Sequence, residues 1–168
     1  MEIALLQKTG LRIKGKTATF LVNPQEAGGA NAGLVLDDSV DPTSSDETVI
    51  LNGPGEYEIG GVKISGTRGD KGVLYSMNID GIDVLVGKIE TLSAMQHKLK
   101  EHNIVISLCT EPASASFLTS LAVNVVVFYG TTAAETAQGF EKDNLQTMNK
   151  YTTAAGKLPA EVETILLA

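Results

Sequence analysis

Histidine is almost missing from this sequence: His97 and His102 are the only two in 168 residues. Protein zinc sites draw heavily on imidazole nitrogen, so a chain this poor in histidine has little to build one from. The two fall five apart near the end of a predicted helix. At ~100° per residue they stand about 140° apart around its axis, so they cannot form the i, i+4 pair that clamps a metal, and both are expected to face solvent. Cysteine is scarcer still. Cys109 is the only one, which excludes an intrachain disulfide, and its place after the apolar run Ile104–Leu108 predicts a buried thiol rather than a nucleophile. Positive charge is also in deficit, with 13 Lys+Arg against 20 Asp+Glu. A net charge of -7 works against a phosphate backbone, so no nucleic-acid partner is expected. No apolar run approaches the ~18 residues of a membrane span. Met1-Glu2-Ile3-Ala4-Leu5-Leu6 lacks the basic and long apolar regions of a leader. The expectation is a soluble, cytoplasmic protein with no membrane partner.

What is present is the composition of a folded globule. Apolar residues make up 43% and charged residues 20%, and a chain of this length can bury roughly two thirds of its unfolded surface without a staple. A single domain over residues 1–168 is predicted. The first half reads as short strands at 3–6, 11–13, 17–22, 34–36 and 49–51, punctuated by glycine and charged turns, with 25–31 as loop. Further strands at 73–79 and 82–86 flank Asp80-Gly81, a pair suited to a tight hairpin. The second half alternates. Leu92, Met95 and Leu99 mark one helical face, capped by Thr91 or Ser93. Helices are also predicted over 113–123, with Pro112 in the first turn, and over 133–142. Strands are predicted at 104–108, 125–129, 145–153 and 162–167.

The most distinctive stretch runs from Ile50 to Gly66. Gly53-Pro54-Gly55 is a turn, because proline presets φ and the glycines tolerate angles that other residues avoid. Alternation follows through Tyr57, Ile59, Val62 and Ile64, shifted by one at Gly60-Gly61, as in a bulge or tight hairpin. This stretch resembles the GPGEYE segment of a small bacterial, zinc-dependent-hydrolase-like branch of the metallo-β-lactamase-fold superfamily. The opening meander, Asn23-Pro24 where the family commonly has Asp-Pro, the Asp80-Gly81 hairpin and the Leu158-Pro159-Ala160-Glu161 close extend the resemblance over nearly the whole chain. It implies an α/β fold: a four-layer αββα-like sandwich of the metallo-β-lactamase type, reduced in size.

The resemblance also implies where zinc ligands should stand, and there the sequence departs from the family. The histidine-rich loop corresponds to Asp37–Pro42, which offers Asp37, Asp38 and Asp41 but no imidazole. The bridging aspartate that follows a glycine is replaced by Lys88 after Gly87, and the last ligand histidine, before a Tyr-Gly, is replaced by Phe128. Zinc is the cofactor expected of the family; with these ligands missing, no cofactor is expected here. Asp37-Asp38-x-x-Asp41 lacks the spacing of a calcium loop, and the loop is read as solvated. Ser107 and Ser116 have no histidine at triad spacing. Glu56 and Glu58 share one side of a strand and are assigned a structural or surface role, and Gly53-Pro54-Gly55 lacks the Gly-Lys-Ser/Thr of a phosphate loop. The sequence therefore predicts a non-catalytic metallo-β-lactamase-like protein, a pseudoenzyme with a binding, regulatory or assembly role toward a protein or small molecule. Its short strands leave edges that a second copy could cover. The alternative is a hydrolase of the same superfamily, acting on a small polar substrate through an atypical site at Asp37, Asp38 and Asp41.

Overall fold

A computed structural model describes residues 1–6, 9–44 and 47–168, with backbone only at Ser44. Ser45 and Asp46, part of the acidic loop, lie outside the described residues. In chain order the elements are β1 (Glu2–Leu5), β2 (Leu11–Lys14), β3 (Thr19–Val22), β4 (Glu26–Ala27), β5 (Ala32–Leu34), β6 (Thr43–Ser44), β7 (Val49–Leu51), β8 (Gly55–Ile59), β9 (Val62–Gly69), β10 (Gly72–Ile79) and β11 (Ile82–Lys88). Then come α1 (Ile89–Ala94), β12 (Ile104–Leu108), β13 (Val125–Tyr129), α2 (Ala133–Phe140), β14 (Leu145–Met148), β15 (Lys150–Thr152) and β16 (Glu163–Leu167).

Two mixed sheets face each other. One has six strands in the order β15-β1-β2-β3-β5-β7; the other has eight, β14-β16-β13-β12-β11-β10-β9-β8. Period-two alternation decides what each strand gives to the space between them. Ile3, Leu11, Ile13, Phe20 and Val22 of the small sheet meet Val73, Tyr75, Ile82, Val84, Ile104 and Val127 of the large one. The opposite face of the large sheet carries Leu74, Leu85, Val105, Val126 and Phe128, covered by α1, the segment 115–118 and α2. The outer face of the small sheet carries the Glu2–Arg12 and Glu2–Lys150 ion pairs. The layered α/β sandwich inferred from the sequence is present, with its helices gathered on the large sheet.

Local chemistry explains the hairpins. Asp80 and Gly81 take φ of 55° and 79°, and Gly60 and Gly61 take 60° and 77°. These left-handed pairs belong to two-residue hairpin turns, with Ile79 opposite Ile82 and Ile59 opposite Val62. The glycine pair is thus a hairpin turn rather than a bulge. The Gly53–Gly55 turn lifts the chain from β7, at the edge of the small sheet, to β8, at the edge of the large one. At the other side Asn149 alone separates β14 of the large sheet from β15 of the small one. The chain therefore crosses between the sheets at both lateral edges.

Five expectations are corrected. The helix marked by Leu92, Met95 and Leu99 stops at Ala94, with a 3₁₀ turn at Gln96–Lys98, and its N-cap is Lys88, without a side-chain cap. Over 113–123 only a 3₁₀ turn at Ser116–Ser120 forms. Its hydroxyls bond locally: Thr119 Oγ1 donates to the Ser116 carbonyl and Ser120 Oγ to the Phe117 carbonyl, each at 2.7 Å, and Ser114 Oγ accepts from the Ser116 amide at 3.3 Å. Such bonds offer the backbone an alternative to the helix. The strand predicted over 145–153 is two strands on different sheets. His102 is buried, at 8% exposure, in the loop before β12; His97 is exposed as expected.

Candidate functional site

Strands β11, β12, β13 and β16 run parallel, so their carboxyl ends gather at one rim of the sandwich, the usual place for ligands in α/β sheets. The small sheet contributes the chain leaving β5. Leu36 fastens the two sheets there: its amide donates to Asn23 Oδ1 at 2.8 Å, and its carbonyl accepts from the Val73 amide at 2.7 Å. Asn23 is 4% exposed and holds φ at 46°, a left-handed angle that asparagine tolerates better than most residues. The Asn23-Pro24 pair therefore has a function in this chain: its side-chain oxygen positions the next residue after Leu36.

That residue is Asp37, and it points at Lys88. Lys88 Nζ lies 2.6 Å from Asp37 Oδ2, with 21% and 15% of the two side chains exposed. The other carboxylate oxygen accepts the Ser39 amide at 3.0 Å and the Ser39 hydroxyl. Burial pushes the Asp37 carboxyl up, but the bonds from Lys88 and Ser39 outweigh it and hold the group below the ordinary aspartate value. Lys88 ends β11 and caps α1, where the helix dipole disfavours a cation; the Asp37 carboxylate offsets that charge.

The remaining candidate residues do not join this pair into a larger site. Asp38 and Asp41 are exposed. Phe128 is fully buried and turned toward the helices, its ring 5.7 Å from that of Phe140. Cys109 follows β12 at 0% exposure, and burial raises its thiol to about 11, so it is protonated at neutral pH. Beside it are two polar groups that the sequence gave no sign of: the Tyr129 hydroxyl and the Glu90 carboxylate, all of whose oxygens are buried without a hydrogen-bond partner among the described residues. Glu56 and Glu58 are exposed on β8, and Glu56 accepts from Ser65 Oγ at 2.6 Å, consistent with the structural role assigned to it.

Zinc in a four-coordinate site needs His, Cys thiolate or carboxylate donors converging on one point. Among the described residues no group of three or more His, Cys, Asp and Glu is placed to hold a metal ion. Asp37 is already bonded to Lys88 and Ser39, and the Lys88 ammonium stands against it. The donor set at this rim does not fit zinc.

No family model and no curated protein matches the chain by sequence. Solved structures do match its fold. One is a Thermotoga maritima protein provisionally named a Zn-dependent hydrolase of the metallo-β-lactamase superfamily, 14% identical over 98% of this chain and 97% of that one, with a TM-score of 0.70. Another is a provisionally named metal-dependent hydrolase from Parabacteroides distasonis, 12% identical over 98% and 91%, with a TM-score of 0.62. A variant of the β-hydroxylase CmlA aligns with 76% of this chain and 45% of its own at a TM-score of 0.51 and 9% identity. At these identities the likeness establishes the fold, which is that of metallo-β-lactamase-type hydrolases. Among the described residues no helix is long and apolar enough to cross a membrane.

Proposed function

We propose that this chain is a single metallo-β-lactamase-like domain without metal-dependent hydrolytic activity, and that it serves as a binding, regulatory or assembly module. The observation that carries this is the Lys88–Asp37 ion pair at the strand-end rim. In the catalytic relatives that the sequence resembles, a metal at such a rim activates water. Here the cation is the protein's own. A divalent ion ~4 Å from that ammonium would be repelled by about 8 kcal/mol at an effective dielectric constant of about 20, and the nearest carboxylate, Asp37, is already bonded to Lys88 and Ser39.

The test is elemental analysis of purified protein together with assays on phosphodiester and lactone substrates. The expected result is less than ~0.1 equivalent of zinc or manganese, no hydrolysis dependent on added metal, and a melting temperature unchanged by EDTA, since a ligand absent from the native state contributes nothing to its stability. Stoichiometric metal accompanied by turnover would overturn the proposal.

A further inference from the structure

A second polar constellation lies away from the rim, on the outer face of the large sheet. Ser76 Oγ of β10 is 2.7 Å from His102 Nε2, and His102 Nδ1 is 2.8 Å from the Lys100 carbonyl oxygen. A carbonyl can only accept, so Nδ1 carries the proton of the neutral ring and donates it. Nε2 then presents its lone pair to Ser76, whose hydroxyl donates. This is the protonation state in which an imidazole can take a proton from a serine as general base, with the ring fixed by a third group. The sequence concealed the pair, because its members are 26 residues apart and meet only through the packing of the 96–103 segment on β10.

The pair opens onto a cavity of about 230 Å³. Leu74, Leu85 and Met95 supply apolar wall, while Lys98 and Lys100, both exposed, supply positive charge. The neighbouring hydroxyl, Ser65, is engaged with Glu56. An apolar wall, a hydroxyl with a directed base and flanking cations suit a substrate with a short acyl chain and a carbonyl that becomes an oxyanion.

We propose that Ser76 is a nucleophile activated by His102 and that the cavity takes a short-chain carboxylic ester. Ser76 Oγ forms a bond to the carbonyl carbon as its proton passes to His102 Nε2. The ester C–O bond then breaks, the leaving alkoxide takes that proton, and the acyl group remains on Ser76. Water repeats the sequence, giving its proton to Nε2 and releasing the carboxylic acid and free serine. Lys98 and Lys100 offset the oxyanion charge. No metal participates, so this activity is independent of the rim: metal analysis tests one site and acylation of Ser76 the other.

The experiment treats the whole chain with diisopropyl fluorophosphate and, separately, p-nitrophenyl butyrate, followed by intact mass and peptide mapping. One adduct per chain on Ser76 and a matching burst of p-nitrophenol are expected. Ser76→Ala should abolish both, Ser65→Ala should leave both in place, and His102→Gln should slow labelling at least ~100-fold, the lower end of what a general base contributes. Absence of an adduct on the folded wild-type chain, or an adduct mapped elsewhere, overturns the proposal whether or not the His102 variant folds. Labelling of a folded His102→Gln at the wild-type rate also overturns it.

Discussion

Lys88 sits between two energetic regimes. Exposed ion pairs contribute ~0–1 kcal/mol, whereas stripping one partner from a buried pair costs about 3–5 kcal/mol. With 21% and 15% of its side chains exposed, the Lys88–Asp37 pair is intermediate, and Lys88→Met should lower stability by ~1–3 kcal/mol in urea titrations at pH 7. Because folding lowers the Asp37 pKa, its contribution is complete above the unfolded value of ~3.9 and is lost as pH falls through the lower folded value. The gap between wild type and Lys88→Met should accordingly close below about pH 4, as Asp37 takes up its proton. Asn23 makes a second prediction. Asn23→Ala leaves the buried Leu36 amide without its acceptor and puts alanine at a left-handed angle, which should cost ~2 kcal/mol by thermal melting. Asn23→Asp keeps an acceptor oxygen and should cost less than ~1 kcal/mol.

At the scale of elements, legibility followed the range of the forces involved. The Asp80-Gly81 and Gly60-Gly61 hairpins and the buried strands 104–108 and 125–129 could be read because their signals lie within a few residues. The helix expected over 113–123 could not, because Phe117, Leu118 and Leu121 gave it a helical period while Ser114, Thr119 and Ser120 bonded the backbone locally. The division of 145–153 depended on two sheets competing for one segment, which no periodicity records. Two glycines give a contrast that can be measured. A Cβ at Gly72, where φ is 143°, would lie 2.3 Å from the Leu36 carbonyl oxygen; Gly72→Ala should cost more than ~2 kcal/mol and disturb the loop carrying Asp37. Gly139, exposed within α2, has nothing within 4 Å of such a Cβ, so Gly139→Ala should add ~0.5–1 kcal/mol. Chemical denaturation of the two variants checks both signs.

For the whole molecule, the sequence resemblance led to the fold, and the missing metal ligands led to the Lys88 and Asp37 positions. That these two residues pair was not legible, since 51 positions separate them: Asp37 lies in the loop leaving the small sheet and Lys88 ends β11 of the large one. The burial of His102 was concealed for the same reason.

The crossing at Asn149 has a consequence for the order in which the protein can be completed. It delivers β15 to β1, pairing Glu2 with Thr152 and Ala4 with Lys150. A strand at residues 2–5 is thus finished by one at residues 150–152, which is synthesised well after it. Until β15 arrives, β1 exposes a row of unpaired backbone groups to neighbouring chains, and closure of so long a loop is a slow kind of folding event. The small sheet therefore stays incomplete until β15 has been synthesised.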